Sequence, residues 1–308
     1  MKRKDLGERL RRIAPDVLSR LEGAEAPCPP AEVLRAFVER VKREKGSFEN
    51  LLTISPTCPG VYPLDRILEE GYDGLAASYF EAVSKGELPD GVRDSCRTCG
   101  FFVPIGSDIT VSVAGCGDPG AGCTMYLNSA RAAELTEGFG GDRTDREFDP
   151  VSLDGDLSAR KSARRELFAG LDESCGSLDG LTDTFGRCVG CHGCSRVCPI
   201  CYCLLCDFES SNFDYGFPYF EEHLSRKGAL RLPPDTMLFH LGRLTHMSFS
   251  CVGCGMCSDV CPVDIPVATV FGRTGEVTRA LFDYLPGRDP EEPVPVMIFR
   301  EEELSELG

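Results

Sequence analysis

The sequence predicts an α+β fold, in which a small N-terminal α/β domain is followed by a cysteine-rich domain with a helical insertion. Short apolar runs bounded by glycine and proline alternate with helix-spaced apolar residues across the first half of the chain. A spaced run of four cysteines then occurs twice, beginning at Cys188 and at Cys251. The 308 residues of the chain are enough for two such domains.

The two cysteine runs read CVGCHGCSRVCP and CVGCGMCSDVCP, and both follow the spacing C-x2-C-x2-C-x3-C-P. This is the bacterial ferredoxin run for [4Fe–4S] clusters, in which the fourth cysteine ligates the other cluster. Structural zinc is the alternative, but it prefers two separated C-x2-C pairs. The sequence therefore predicts two crossed ligand sets: Cys188, Cys191, Cys194 and Cys261 for one cluster, and Cys251, Cys254, Cys257 and Cys198 for the other.

Further cysteines predict a third cluster. The chain has eighteen cysteines and no secretion signal at its N-terminus, a combination that favours metal binding over disulfides. We expect the pair Cys96 and Cys99 to join the pair Cys203 and Cys206 around a third [4Fe–4S] cluster, if the two domains pack together. Tetrahedral zinc is the alternative for these four thiolates. The remaining cysteines have no predicted role: Cys28, Cys58, Cys116, Cys123, Cys175 and Cys201.

The N-terminal α/β domain is predicted to span residues 1–141. A first helix is expected within residues 6–21, and Pro30 opens a second that ends near Gly46. A glycine-rich loop, 115–122, could cradle a phosphate through its backbone N–H groups. It lacks both the G-x-G-x-x-G fingerprint and the P-loop lysine.

The second helix is expected to bury one apolar face: Val33, Leu34, Phe37, Val38 and Val41. Strands are expected at Leu51–Ile54, Ile109–Val113 and Thr124–Leu127, and a helix is expected over Ser129–Phe139.

A polar stretch at 142–156 is predicted to be a linker, and residues 157–308 are predicted to form the ferredoxin-type domain. This domain contains the insertion 199–250 and ends in an apolar tail that we expect to dock on a partner. His240 and His246 are interpreted as packed side chains rather than metal ligands. Helices are expected at Leu157–Leu171, Pro218–Arg226 and Pro234–Met247, and after Cys261 with a glycine interruption.

The charge balance excludes several classes of partner. Lys and Arg number 33 against 49 Asp and Glu, which gives a formal net charge of −16. Nucleic acids and anionic membrane surfaces both require basic patches, so neither is an expected partner. No window is apolar enough for a membrane helix, and we expect a cytoplasmic protein without membrane insertion. Exposed clusters and thiols are oxygen-sensitive, which indicates an anaerobic setting.

One segment resembles a known family. SCRTCGFFVPIGSDITVSVAG resembles the C-x2-C…(A/S)DI-x-V-x-x-G signature of the beta-subunit family of deazaflavin-reducing hydrogenases and formate dehydrogenases. The following CTMYLNSARAAELTEGF resembles the strand and helix that come next in that family. The cysteine runs with CPICYCLLC are similar to iron–sulfur subunits beside formate dehydrogenases or heterodisulfide-reductase-type complexes. The resemblance implies Cys96 and Cys99 as cluster ligands, with Asp108 and Gly115 in the signature strand and turn.

The leading hypothesis is an iron–sulfur electron-transfer subunit of an anaerobic multi-subunit oxidoreductase. Its expected partner is a catalytic dehydrogenase or hydrogenase subunit, or a heterodisulfide-reductase-like subunit. No acid–base pair or nucleophile stands out near the clusters, so bond chemistry by this chain alone is not expected. The alternative is a flavin-containing reductase subunit that exchanges hydride with a deazaflavin or nicotinamide, using loop 115–122 and the turn at Cys58. A third hypothesis is that the clusters only stabilise the fold and do not carry electrons to a partner.

Overall fold

The computed structural model describes residues 31–48, 51–113, 122–138, 154–201, 203 and 205–299. The expected helix within residues 6–21, nearly all of the glycine-rich loop and most of the predicted linker lie outside these described residues. The described chain is mixed α and β, and the α+β prediction is confirmed.

The sheet of the N-terminal half has three strands in the order β1-β2-β3, with β1 parallel to β2 and β2 antiparallel to β3. Its register pairs Ile54 with Ile109 and Ile109 with Leu127. Pro56 is tolerated because β1 lies at the edge of the sheet. The strands are β1 (Ile54–Pro56), β2 (Ile109–Ser112) and β3 (Thr124–Leu127), so β3 matches its prediction and the first strand begins three residues later than predicted.

Asp108, immediately before β2, connects the residues that flank β1 and β3 through hydrogen bonds of its carboxylate. Its Oδ2 accepts hydrogen bonds from Thr53 N and Thr53 Oγ1, both at 2.8 Å. Its Oδ1 accepts one from Ser129 Oγ at 2.7 Å, and the same Ser129 hydroxyl caps the helix after β3 by accepting from Ala132 N. The pairing of Thr53 with Asp108 explains why regular strand structure begins only after Thr53.

The helices of the N-terminal half accompany this sheet and a small hydrophobic cluster of Tyr62, Leu75 and Val92. The helix over the predicted 129–139 segment is shorter than expected and is capped by Ser129. The helices are α1 (Ala31–Glu44), α2 (Leu64–Glu70), α3 (Tyr72–Lys85), α4 (Asp94–Arg97) and α5 (Ala130–Leu135).

The helix α1 buries only part of the predicted face, since Leu34 and Val38 are buried as predicted. Val33 and Phe37 are 46% and 40% exposed, whereas Arg35 and Glu39 are fully buried. Glu39 has partners in the interior, because its Oε1 accepts from the Tyr284 hydroxyl at 2.5 Å and forms an ion pair with Lys42. Tyr284 lies 245 residues away in the sequence, and local apolar spacing cannot reveal such a contact.

The C-terminal half is helical, and its helices match the predicted positions within a few residues. The insertion 199–250 contains two helices and short 3-10 turns, which agrees with the expected helical insertion. The helices are α6 (Asp154–Cys175), α7 (Leu178–Phe185), α8 (Gly193–Arg196), α9 (Phe217–Lys227), α10 (Thr236–Met247), α11 (Met256–Asp259) and α12 (Val267–Phe282).

The expected glycine interruption of the last helix is not observed, since α12 runs unbroken through Gly272 and Gly275. Gly275 is buried against the segment that precedes the second cysteine run, and a Cβ there would lie 2.8 Å from Ser248 O. Close approach of the two backbones, rather than a break in the helix, explains this glycine.

The main hydrophobic core surrounds the two cysteine runs and joins both halves of the chain. It contains Phe185, Ile200, Ile265 and Phe271 from the C-terminal half, and Ala36 from α1. The predicted boundary at residues 142–156 stays a prediction, but α1 packs against the C-terminal half rather than against the sheet alone. Within the described residues, no helix is both long enough and apolar enough to cross a bilayer.

Candidate metal centre

The cysteines of the first predicted ligand set line a single cavity of about 310 Å³. The fourth of them, Cys261, comes from the second run and lies across the cavity from the first run. The charge of Cys261 contributes, after burial, to the raised pKa of both Cys188 and Cys194. We call this set the first quartet: Cys188, Cys191, Cys194 and Cys261.

The second quartet shows the reciprocal arrangement. Burial is the main reason that the pKa values of Cys251, Cys254 and Cys257 are raised, and for Cys254 the value reaches about 12. The charge of Cys198, from the first run, adds to the rise at each of these three thiols. The electrostatic neighbours of Cys198 and Cys261 therefore support the crossed assignment. The second quartet is Cys251, Cys254, Cys257 and Cys198.

The donor set fits an iron–sulfur cluster. All eight donors are thiols: Cys194 is buried, Cys191 is exposed, and the other six are partly buried and packed against the apolar core. A buried thiol resists ionisation, as the raised pKa values of Cys188, Cys194 and Cys251 show, and bound iron cations would offset that cost. Among the described residues, no three His, Cys, Asp or Glu side chains are grouped so as to hold a single metal ion.

Backbone N–H groups point at the thiol sulfurs, as expected for sites that carry negative charge. In the first run, Gly190 N donates to Cys188 Sγ at 3.4 Å. Beyond the second run, Ile265 N donates to Cys261 Sγ at 3.3 Å. These donors stabilise negative charge on sulfur and so favour the reduced state of a bound cluster.

Two groups outside the predicted ligands contact the quartets. Arg243, on α10, donates from Nη1 to Cys194 Sγ and from Nη2 to Cys194 O, each at 3.1 Å. A hydrogen bond from Cys201 lowers the pKa of Cys198 to about 6 despite burial. No local pattern in the sequence marks Arg243, because its helix lies in the insertion and its partner is 49 residues away.

A third thiol site lies beside the second quartet, and it unites Cys58, Cys96 and Cys99. Burial raises the pKa of Cys96 to about 11, and the charge of Cys99 adds to the rise. Burial also raises the pKa of Cys58, with smaller contributions from Cys96 and Cys99. Phe101 N donates to Cys99 Sγ at 3.3 Å, as other backbone groups do in the quartets. Cys58, which had no predicted role, therefore lies with the Cys96 pair.

The loop that carries Cys96 packs directly on the second run. Arg93 donates to Cys254 O at 3.0 Å and forms an ion pair with Asp259 at 2.6 Å. Gly255, with φ of +81°, leaves no room for a Cβ, which would collide with Ser95 Oγ. The third thiol site is thus held against the second quartet rather than the first.

The segment of Cys203 and Cys206 contacts a different region. Cys203 is exposed, and Cys206 O accepts from Glu209 N at 3.1 Å. Glu209 in turn contacts His192 of the first run at 2.9 Å. Among the contacts of the described residues, none joins Cys203 or Cys206 to the Cys96 pair. Their pairing in a third cluster stays a prediction.

His240 packs inside the protein as predicted, whereas His246 is exposed. His240 is buried and stacks on Phe185 at 4.3 Å, and burial lowers its pKa to about 4. His240 lies, as a neutral aromatic side chain, on the wall of the cavity that the first quartet lines. Cys175 Sγ pairs with Thr184 Oγ1 at 3.2 Å, and Cys123 borders the sheet core. Cys28 and Cys116 lie outside the described residues.

The two thiol quartets have the donor set that ferredoxin-type iron–sulfur proteins use for [4Fe–4S] clusters. The family description "4Fe-4S binding domain" matches residues 248–267, which include the second run. The chain is also 28% identical over 300 residues to "F420-dependent formate dehydrogenase subunit beta" of Methanocaldococcus jannaschii, covering 87% of this chain and 74% of that protein.

A second relative gives a similar match. The chain is 28% identical over 299 residues to "F420-dependent formate dehydrogenase 1 subunit beta" of Methanococcus maripaludis, covering 87% of this chain and 73% of that protein. These homologues confirm the resemblance drawn from the sequence. Together with the 4Fe-4S domain, they support an iron–sulfur electron-transfer subunit of an oxidoreductase that carries [4Fe–4S] clusters.

Proposed function

We propose that this chain is the electron-transfer subunit of a formate dehydrogenase-type complex and carries electrons through two or three [4Fe–4S] clusters. The single observation that carries the proposal is the crossed arrangement of Cys198 and Cys261, each placed among the thiols of the other run. This arrangement holds two clusters side by side in one core. The names of the two relatives supply the partner class.

A bound [4Fe–4S] cluster supplies one-electron transfer without bond chemistry on a substrate. The residues of this chain fix the sites, exclude water and supply hydrogen-bond donors to sulfur. The apolar core excludes water around both quartets, while Cys191 of the first quartet is exposed. We therefore propose Cys191 as the side of the first quartet where electrons enter or leave.

The second quartet lies between the first quartet and the third thiol site. The first and second quartets are linked by their exchanged fourth ligands, and the helices α8 and α11 of the two runs are in contact. The second quartet is in turn covered by the Cys96 loop through Arg93 and Ser95. This order supports a linear path from the first quartet, through the second, to the third thiol site.

We propose Cys96 and Cys99 as ligands of a third cluster, as the sequence predicted. The geometry supports Cys58 as their companion, because it shares their environment. The predicted alternative, with Cys203 and Cys206, requires those two residues to leave the neighbourhood of Glu209 and His192.

A catalytic subunit is the proposed partner, and the C-terminal tail is the proposed contact. Val294 of the tail is buried against the chain itself, while Val296, Met297 and Phe299 are 50%, 52% and 70% exposed. Several exposed apolar residues so close together in the chain are unusual for a surface that faces only water. They are suited to burial against another subunit.

Hydride exchange with a deazaflavin is the second candidate function, because both relatives are named for F420 dependence. It requires a flavin to convert hydride into single electrons. Anaerobic purification of the tagged chain with its native partners tests both candidates. Electron transfer alone predicts clusters and a co-purifying dehydrogenase subunit without flavin; a stoichiometric flavin absorbance band would favour the second candidate. Purified protein without iron would refute electron transfer through clusters, and purified protein without flavin would refute hydride exchange.

A further inference from the structure

A cavity of about 550 Å³ separates the third thiol site from the second quartet, and Arg35 of α1 lies on its wall. Cys99 and Cys251 also line this cavity, one from each thiol site. Arg164 and Arg279 lie on the same wall, and none of the described residues that line the cavity carries a carboxylate. Three arginines therefore concentrate positive charge at this cavity, in a chain whose net charge is −16.

Arg35 is held in place from several sides. Its Nε donates to Pro286 O at 2.9 Å, and its guanidinium lies over the Phe101 ring at 4.5 Å. Gly287, with φ of +74°, packs so closely that a Cβ there would overlap the Arg35 backbone. The side chain is 1% exposed, yet its buried Nη1 has no hydrogen-bond partner among the described residues.

Arg35 carries its positive charge at neutral pH. Burial lowers its pKa to about 10, the charge of Cys99 opposes that effect, and the neighbouring Arg279 reinforces it. A buried cation with an unsatisfied donor costs free energy unless negative charge lies nearby. Besides Glu39 of its own helix, the groups whose charge affects the pKa of Arg35 are the thiols Cys99 and Cys251 and the cation of Arg279.

We propose that Arg35 sets the reduction potentials of the two clusters that adjoin it, and so controls electron transfer between the third thiol site and the second quartet. The inference rests on the proposed electron-transfer function and deepens it. Each reduction adds one negative charge at a site where the dielectric is low, so a fixed cation between two sites favours the reduced state of both. Arg35 thereby acts through the clusters as a positioning charge and contacts no substrate.

The test compares Arg35→Gln with Arg40→Gln in the anaerobically purified complex. Arg40 is the matched control, because it lies on the exposed face of the same helix and pairs with Glu44. Arg35→Met, which keeps an unbranched side chain without the charge, replaces the Gln variant if that variant loses iron. Potentials are read by redox titration followed by electron paramagnetic resonance, with iron content measured on each sample.

We expect the neutral Arg35 variants to shift the potentials assigned to the second quartet and the third thiol site downward, while the first quartet and the Arg40→Gln protein keep wild-type values. Wild-type potentials in an iron-replete Arg35 variant, or an equal shift in Arg40→Gln, would overturn the proposal. Iron content and reducibility by dithionite test the electron-transfer function separately. Full, reducible clusters with unchanged potentials therefore refute the role of Arg35 alone.

Discussion

Arg243 donates a hydrogen bond from Nη1 to the sulfur of Cys194 at 3.1 Å, and both side chains are buried. The same guanidinium lies over the rings of Phe239 and Phe271, at 5.5 and 5.1 Å. Arg243 thus brings a fixed positive charge from the insertion to the first quartet. The insertion, which small ferredoxins lack, supplies part of the electrostatic environment of the cluster site.

Arg243→Gln is expected to lower the potential of the cluster in the first quartet. Losing about 1 kcal/mol of preference for the reduced state corresponds to about 40 mV for a one-electron couple. Redox titration measures the shift, with the exposed Arg226→Gln as control. A first-quartet potential equal to that of the wild type would contradict the role of the bond.

The crossed assignment makes a second prediction. Cys198→Ala should damage the cluster held by Cys251, Cys254 and Cys257, and Cys261→Ala should damage the cluster of the first run. Cluster-specific paramagnetic resonance of the two variants distinguishes the sites. If each variant loses the cluster of its own run, the crossed assignment is wrong.

The third thiol site makes a third prediction, which separates two ligand sets. Three clusters require about twelve iron atoms per chain, against about eight for two. We expect Cys58→Ala to lower the iron count of an anaerobic preparation by about four. The sequence-based pairing expects the same loss for Cys203→Ala. A wild-type count near eight with stoichiometric zinc would replace the third cluster by a zinc site.

The hydrogen bonds of Asp108 make a prediction about stability. Burial alone would raise its pKa, but the bonds from Thr53 and Ser129, together with the charge of Arg131, outweigh burial and lower it. Asp108→Asn should therefore cost about 1 kcal/mol, since partial exposure weakens these bonds. Thermal unfolding under anaerobic conditions measures the loss, with Asp90→Asn on an exposed loop as control.

The sign of the pH dependence follows from the lowered pKa of Asp108. Its contribution is present above the unfolded pKa of about 3.9 and is lost as the pH falls through the folded value. The stability difference between wild type and Asp108→Asn should therefore be the same at pH 5.5 and pH 7.5. A difference that disappears between these two values would show that another group is responsible.

The tail makes a prediction about assembly. Val296→Ser combined with Phe299→Ser should weaken the association of this chain with its catalytic subunit, and deletion from Glu291 onward should do so more strongly. Leu68→Ser serves as control, since Leu68 is 75% exposed on α2. The elution volume of the complex and its subunit ratio measure assembly. An unchanged complex in both tail variants would exclude the tail as the contact.

Much of the site was predictable because cluster ligands follow strict local spacing. The two runs gave the quartets, and the strand Thr124–Leu127 was predicted at its observed bounds. Contacts across large sequence separations were not predictable. Arg35 and Arg243 reach their partners through tertiary packing, and neither residue type nor periodicity marks them in the sequence. Cys58 is marked as a cysteine, but only tertiary packing shows that it lies with the Cys96 pair.

The most direct test of the central claim is rapid freeze-quench paramagnetic resonance of the intact complex after anaerobic mixing with formate. The account predicts that the clusters of this chain become reduced within turnover of the catalytic subunit. It also predicts that Cys198→Ala slows reduction of the sites beyond the second quartet. A complex that oxidises formate while fully loaded clusters in this chain remain oxidised would contradict the account.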